Sequence, residues 1–184
     1  MKAEGPLIVG LGGTLRPGSS TQLAVEEALA YAKALGARTR MLAGPELEMP
    51  FYGSEDSVRT PRAAALVDAL RLADAVVIGS PGYHGSISGL LKNALDYVED
   101  LSKDARPYLD GRPVGLIAGA AGMQGAVTTL GMLRDVTHAL RGFPTPYGVA
   151  FNSADKSLER IAGTQNQLQL LAQQVVALAR APAV

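Results

Sequence analysis

Asp74-Ala75-Val76-Val77-Ile78-Gly79-Ser80-Pro81-Gly82-Tyr83-His84-Gly85-Ser86-Ile87-Ser88-Gly89-Leu90-Leu91 is the stretch on which the fold turns. Ala75 to Gly79 is apolar without interruption, the mark of a strand buried on both faces rather than one with a solvated side. Further on, Ile87, Leu90, Leu91, Ala94, Leu95 and Val98 fall at i, i+3, i+4, i+7, i+8 and i+11. That is one apolar stripe at helical spacing, and it predicts a helix from Ser86 to about Val98. Ser86 reads as its N-cap. Between strand and helix lies a loop of glycine, proline and small polar residues.

The same alternation runs outward in both directions. Leu7 to Leu11 reads as a buried strand, followed by a helix from about Ser20 with Leu23, Ala24, Ala28 and Tyr31 near one face. A second strand covers roughly Arg38 to Ala43. A Gly- and Pro-rich loop, Gly44 to Thr60, leads to a helix opened by Pro61 in its first turn. Val114 to Gly119 and Tyr147 to Phe151 read as the fourth and fifth strands. A helix from about Gly125 to Leu140 separates them, and a last helix reaches Arg180. Five strands alternating with helices predict an α/β fold, a doubly wound parallel sheet with helices on both faces. Right-handed crossovers leave few ways to wind it. No repeat, low-complexity stretch or linker interrupts residues 1–184, which read as one domain.

Composition excludes several chemistries. The chain has no cysteine, so disulfides, thiolate metal sites and cysteine nucleophiles are out. His84 and His138 are the only histidines, too few for a multi-histidine metal site, and no metal ligand set is expected. Seventeen basic residues balance 17 acidic ones, with no Lys/Arg run, so no nucleic-acid partner is expected. No stretch approaches the ~20 apolar residues of a membrane span. The apolar run after Met1-Lys2-Ala3-Glu4-Gly5-Pro6 is too short for a signal core, and a cytoplasmic protein with no membrane partner is the expectation.

In an open doubly wound sheet, ligands bind beyond the carboxyl ends of the strands, near the point where strand order reverses. The loops after strands one, three and four lie there. The first is Gly12-Gly13-Thr14-Leu15-Arg16-Pro17-Gly18-Ser19-Ser20-Thr21. It enters a helix N-terminus, where free amides and the macrodipole favour an anion. Thr14, Ser19, Ser20 and Thr21 add hydroxyls, and Arg16 adds a planar cationic fork. The loop reads as a phosphomonoester pocket, the alternative being a glycine turn followed by a serine N-cap. It is no nucleoside-triphosphate loop: Gly13 and Gly18 have the spacing, but Ser19 stands where lysine is required. It also lacks the dinucleotide fingerprint, since Leu15 takes the third glycine position and no acidic residue ends strand two. The second loop, Pro81-Gly82-Tyr83-His84-Gly85-Ser86, offers backbone amides and two flat side chains, which suits the rim of a planar ring. His84 reads either as a loop residue or as a proton donor.

Taken with Gly89-Leu90-Leu91-Lys92-Asn93-Ala94-Leu95-Asp96, these two loops make the chain resemble the NADPH-dependent FMN reductase family over nearly its whole length. The resemblance implies a flavodoxin-like sheet of order 2-1-3-4-5. It implies that Thr14, Arg16, Ser19, Ser20 and Thr21 hold the FMN phosphate. Pro81, Gly82, Tyr83, His84, Gly85 and Ser86 would run along the isoalloxazine ring, with Ala121 and Gly122 at its pyrimidine side. Lys92, Asn93 and Asp96 match positions that look structural. Tyr52 borders the cleft or packs; Met123 and Gln124 face substrate or do not.

The implied activity is that of an NAD(P)H-dependent flavin reductase. Electrons would pass from NADPH or NADH through FMN to a small-molecule acceptor (a flavin, quinone, azo compound or metal ion) by a ping-pong mechanism. No catalytic side chain is implied. Relatives commonly form homodimers or homotetramers. Many carry glutamate where this chain has Gly82, asparagine where it has His84 and serine where it has Ala120. These departures put the acceptor, not the FMN, in question. The rivals are a flavodoxin-type electron carrier without NAD(P)H activity and a non-redox phosphate binder on the same fold. Carriers are usually acidic and often stack tryptophan on the flavin; this chain is neutral and has no tryptophan.

Overall fold

The computed structural model describes residues 5–54, 59–154 and 163–181. Strands β1 (Leu7–Gly12), β2 (Arg38–Ala43), β3 (Ala75–Pro81) and β4 (Pro113–Ala120) form a parallel sheet, completed by two short pieces, β5 (Phe143–Pro144) and β6 (Val149–Asn152). The order is β2-β1-β3-β4-β5, and β6 also pairs with β4, so the last two pieces occupy one strand position. Every pairing is parallel, and the register sets Gly12 beside Ala43 and Gly79, and Pro81 beside Gly119. All connections therefore leave the sheet from one carboxyl edge.

Helices α1 (Ser20–Ala34) and α5 (Gln165–Arg180) cover one face, over Ile8, Val77 and Ile117. Helices α2 (Pro61–Leu72), α3 (Gly89–Asp96) and α4 (Met123–Ala139) cover the other, over Val9, Leu11, Val76, Ile78, Leu116 and Ala118. Neighbouring strand residues thus feed opposite cores, and this is why the runs are continuous rather than alternating. Helix α1 sits low on the sheet because Gly79 has no side chain. A Cβ there would lie 2.4 Å from Val25 Cγ2 and 3.1 Å from the Thr21 carbonyl. The N-terminus of α1 is thereby drawn onto the end of β1. Among the described residues no helix is long and apolar enough to cross a membrane.

Four boundaries differ from the sequence reading. The N-cap of α3 is Ser88, whose Oγ accepts from Leu91 N at 3.2 Å, not Ser86. Ser86 instead closes a turn, exchanging backbone hydrogen bonds with Tyr83 at 2.9 and 3.0 Å. The stripe runs on past α3 in a 3-10 turn, Tyr97–Leu101, that buries Val98. In the fifth strand, Tyr147 N donates to Gln174 Oε1 at 2.9 Å rather than to the ladder, so pairing resumes only at Val149. Pro144 and Pro146, which have no N–H, flank the break. Met123 rather than Gly125 opens α4. The loop reading over 44–60 includes residues 55–58, which lie outside the described residues.

Candidate functional site

Three loops are stitched together at the carboxyl edge. Gly13 N donates to Gly79 O at 2.8 Å, and Gly82 N donates to Gly119 O at 2.8 Å, carrying the sheet pairing one residue into each loop. Ser88 joins the first two: its Oγ donates to Gly13 O at 2.6 Å, and its N–H donates to Ser80 Oγ at 3.0 Å. Ser80 Oγ in turn donates to Pro81 O at 2.9 Å. Both serines are buried, and neither was singled out from the sequence. The available signal was position: Ser88 directly precedes the first helical residue, which is where a cap belongs.

In the first loop, Thr14 Oγ1 accepts from Arg16 N at 3.1 Å and folds the chain into a short turn. Gly18 at φ +63° then delivers the chain to Ser19, the N-cap of α1, whose Oγ accepts from Gln22 N at 3.2 Å. Ser19 is thus a cap, as one of the two readings held. Capping Gln22 leaves the amides of Ser20 and Thr21 without an intrahelical acceptor. Thr14, Ser19, Ser20 and Thr21 are all buried, while Leu15, Arg16, Pro17 and Gly18 stand exposed. The hydroxyls lie on the buried side of the loop and the arginine on its exposed rim. All five predicted phosphate-contact residues are therefore on one short segment at one helix end.

In the second loop, His84 (φ +50°) and Gly85 (φ +85°) are the central residues of the Tyr83–Ser86 turn. Positive φ at both is the requirement of a type I′ turn, which suits glycine at the second position. Tyr83, His84, Gly85 and Ser86 are exposed, whereas Pro81 and Gly82 are half-buried. His84 is thus held out over the edge. A side chain at position 82 would not point there: it would run into Ala120, Gly125 and Thr129 beneath α4. In the third loop, Ala121 and Gly122 are exposed, and Gly122 caps α4 without any side-chain hydrogen bond. The first amides of α4 therefore remain open at the same edge as those of α1. Met123 is half-exposed and Gln124 exposed beside them.

Asn93 and Tyr52 prove structural. Asn93 Oδ1 accepts from Tyr52 N at 2.9 Å, and its Nδ2 donates to Pro50 O at 3.0 Å and Met49 O at 3.3 Å. The Tyr52 ring packs edge-on to Tyr97 at 5.2 Å, beneath Arg59, which is paired with Asp100 at 2.7 Å. Burial and the Asp100 carboxylate push the Tyr52 phenol above its usual pKa. Lys92 and Asp96 form the i,i+4 pair on the exposed flank of α3, worth a few tenths of a kcal/mol. A cavity of about 400 Å³ opens on that flank, between α3 and α4, lined by Lys92, Met132, Asp135 and Val136. It reaches the three loops only through Ser86 and Ile87 and does not lie between them.

The family model described as NADPH-dependent FMN reductase matches residues 6–156. An FMN-dependent NADPH-azoreductase of Staphylococcus haemolyticus is 39% identical over 85 residues, 46% of this chain and 42% of that protein. The chain thus spans less than half the length of the curated relatives it matches. Among solved structures, an oxidoreductase from Corynebacterium diphtheriae superposes with a TM-score of 0.75 at 19% identity, over 96% of this chain and 98% of that one. A flavoenzyme NAD(P)H:(acceptor) oxidoreductase from Paracoccus denitrificans gives 0.67 at 19% identity, over 92% and 97%. At such identities the two structures attest the flavodoxin-like fold.

Proposed function

Because the chain belongs to the NADPH-dependent FMN reductase family, we propose that it is an FMN-dependent NAD(P)H oxidoreductase passing electrons to a small-molecule acceptor. The observation that carries this reading is the convergence of two open helix N-termini, those of α1 and α4, on one glycine-rich edge. The residues present fit FMN. The Ser20 and Thr21 amides, the Thr14, Ser19, Ser20 and Thr21 hydroxyls and the Arg16 fork are donors for a phosphate dianion. Half-exposed Leu15, Tyr83 and Met123, one from each loop, give a flat ring apolar surface to lie against.

FMN, when bound, supplies the redox chemistry. The chain's part is placement and electrostatics. Pro81 and Gly82 hold the second loop to the end of β4, and the Tyr83–Ser86 turn presents Tyr83 and His84 outward, where a nicotinamide or an aromatic acceptor can stack. The amides after Ala121 and Gly122, at the positive end of α4, favour negative charge at the ring edge they face. No side chain is assigned a proton-transfer role.

Donor and acceptor using the same open face in turn gives ping-pong kinetics. Initial rates of NADPH oxidation with FMN and an azo dye or quinone should give parallel double-reciprocal lines. Intersecting lines contradict the shared face; no FMN-dependent oxidation with NADPH or NADH contradicts the reading itself. The same reading has the protein assemble as a homodimer or homotetramer. Light scattering should return two or four chain masses, and a single mass contradicts assembly.

A further inference from the structure

Position 82 meets α4 at a contact that neither cofactor binding nor the backbone conformation explains. Gly82 is not at positive φ, so its backbone does not call for glycine. Space does. A Cβ on Gly82 would lie 2.6 Å from Thr129 Oγ1, 3.0 Å from Ala120 Cβ and 3.3 Å from Gly125 O. The Thr129 contact is the severe one, since at Ala120 Cβ and Gly125 O a small shift suffices, whereas a β-branched side chain on a helix has few rotamers to move to.

Thr129 is itself anomalous. It is 0% exposed, and its Oγ1 is a buried side-chain atom without a hydrogen-bond partner among the described residues. A threonine inside a helix ordinarily returns its hydroxyl to the carbonyl four residues back. Thr137, two turns on, does so, donating to Leu133 O at 2.7 Å. The Thr129 hydroxyl makes no such bond and lies against Gly82 instead. A buried hydroxyl left unpaired destabilises the fold.

We propose that Thr129 is a positioning residue for the cofactor loop: with Ala120 it forms a steric stop against the Gly82 α-carbon and sets the spacing between the second loop and the N-terminus of α4. Gly82 has one backbone tether there, its N–H to Gly119 O, and the Tyr83–Ser86 turn follows at once. A displacement at Gly82 is therefore passed on to the backbone that would border the flavin. Gly82, Ala120 and Thr129 are the three sides of this one contact. The proposal rests on the FMN reading above.

A double-mutant cycle tests it, read by FMN titration, by the visible spectrum of the bound flavin and by melting of the FMN-free proteins. Gly82→Ala should weaken FMN binding about tenfold and alter the bound spectrum, and Gly82→Ala/Thr129→Ala should return affinity to within about threefold of the parent with the parent spectrum, since contacting sites couple. Thr129→Val, which keeps the branched shape, should hold affinity within about twofold and raise the melting temperature by removing an unpaired hydroxyl. Gly82→Ala binding FMN like the parent, or no recovery in the double variant, overturns the proposal. If the parent protein binds no FMN, the functional reading fails instead, while the melting temperatures still report whether residues 82 and 129 are coupled.

Discussion

Ser86 and Ser88 show at the residue scale what a cap must do. Both serines are close enough to begin a helix, but only Ser88 Oγ reaches Leu91 N, and the same oxygen donates to Gly13 O. Ser86 is exposed, and its backbone is spent on the turn with Tyr83. Ser88→Ala removes an N-cap and leaves a buried carbonyl without its donor, so it should cost about 1–3 kcal/mol in chemical denaturation. Ser86→Ala should stay within about 0.5 kcal/mol, as surface substitutions do. Equal losses would contradict the assignment of the cap. The sequence pattern could not separate the two because local spacing favours a serine before an apolar stripe, whereas Gly13 is 75 residues away and is brought near only by the fold. The grouping of Thr14, Arg16, Ser19, Ser20 and Thr21 at one helix end was legible for the opposite reason: residues 14–21 are consecutive, and the cap among them, Ser19, is local.

At the scale of elements, β2 could be read to the residue, and β1, β3 and β4 to within a residue or two at either end. Buried parallel strands announce themselves by unbroken apolar runs, and β3 and β4 are buried almost throughout. The fifth strand was less legible because its course depends on a partner far along the chain, the Gln174 side chain. Arg112 was invisible for the same reason. Only 2% exposed, it donates to Ala73 O at 2.9 Å, Tyr108 O at 3.0 Å and Arg71 O at 3.1 Å, joining the C-terminal end of α2 to the segment before β4. Burial pushes its pKa down to about 10, yet it remains a cation at neutral pH, where it complements the negative end of the helix dipole. A charged residue beside a strand reads as an edge or a turn. That it is a buried clasp depends on carbonyls contributed by α2 and by the segment before β4.

The whole molecule turns a parallel sheet into a single working edge. With every strand running the same way, the loops after β1, β3 and β4 converge. The small residues Gly79, Gly82, Gly119 and Ala120 let α1 and α4 come close enough to aim their N-termini at that edge. Fold and edge follow from the pattern of strands and helices. The direction of each side chain at the edge does not: Gly82 reads from sequence as part of the mouth, but the structure turns its α-carbon toward Thr129. On our proposal this edge holds FMN and gives a nicotinamide access to it. Its most direct test is the visible spectrum of the purified protein mixed with FMN, recorded without oxygen before and after NADPH is added. The predicted result is a flavin spectrum that shifts on binding and bleaches with NADPH. A spectrum identical to that of free FMN, or a bound flavin that neither NADPH nor NADH bleaches, would rule out this role for the edge.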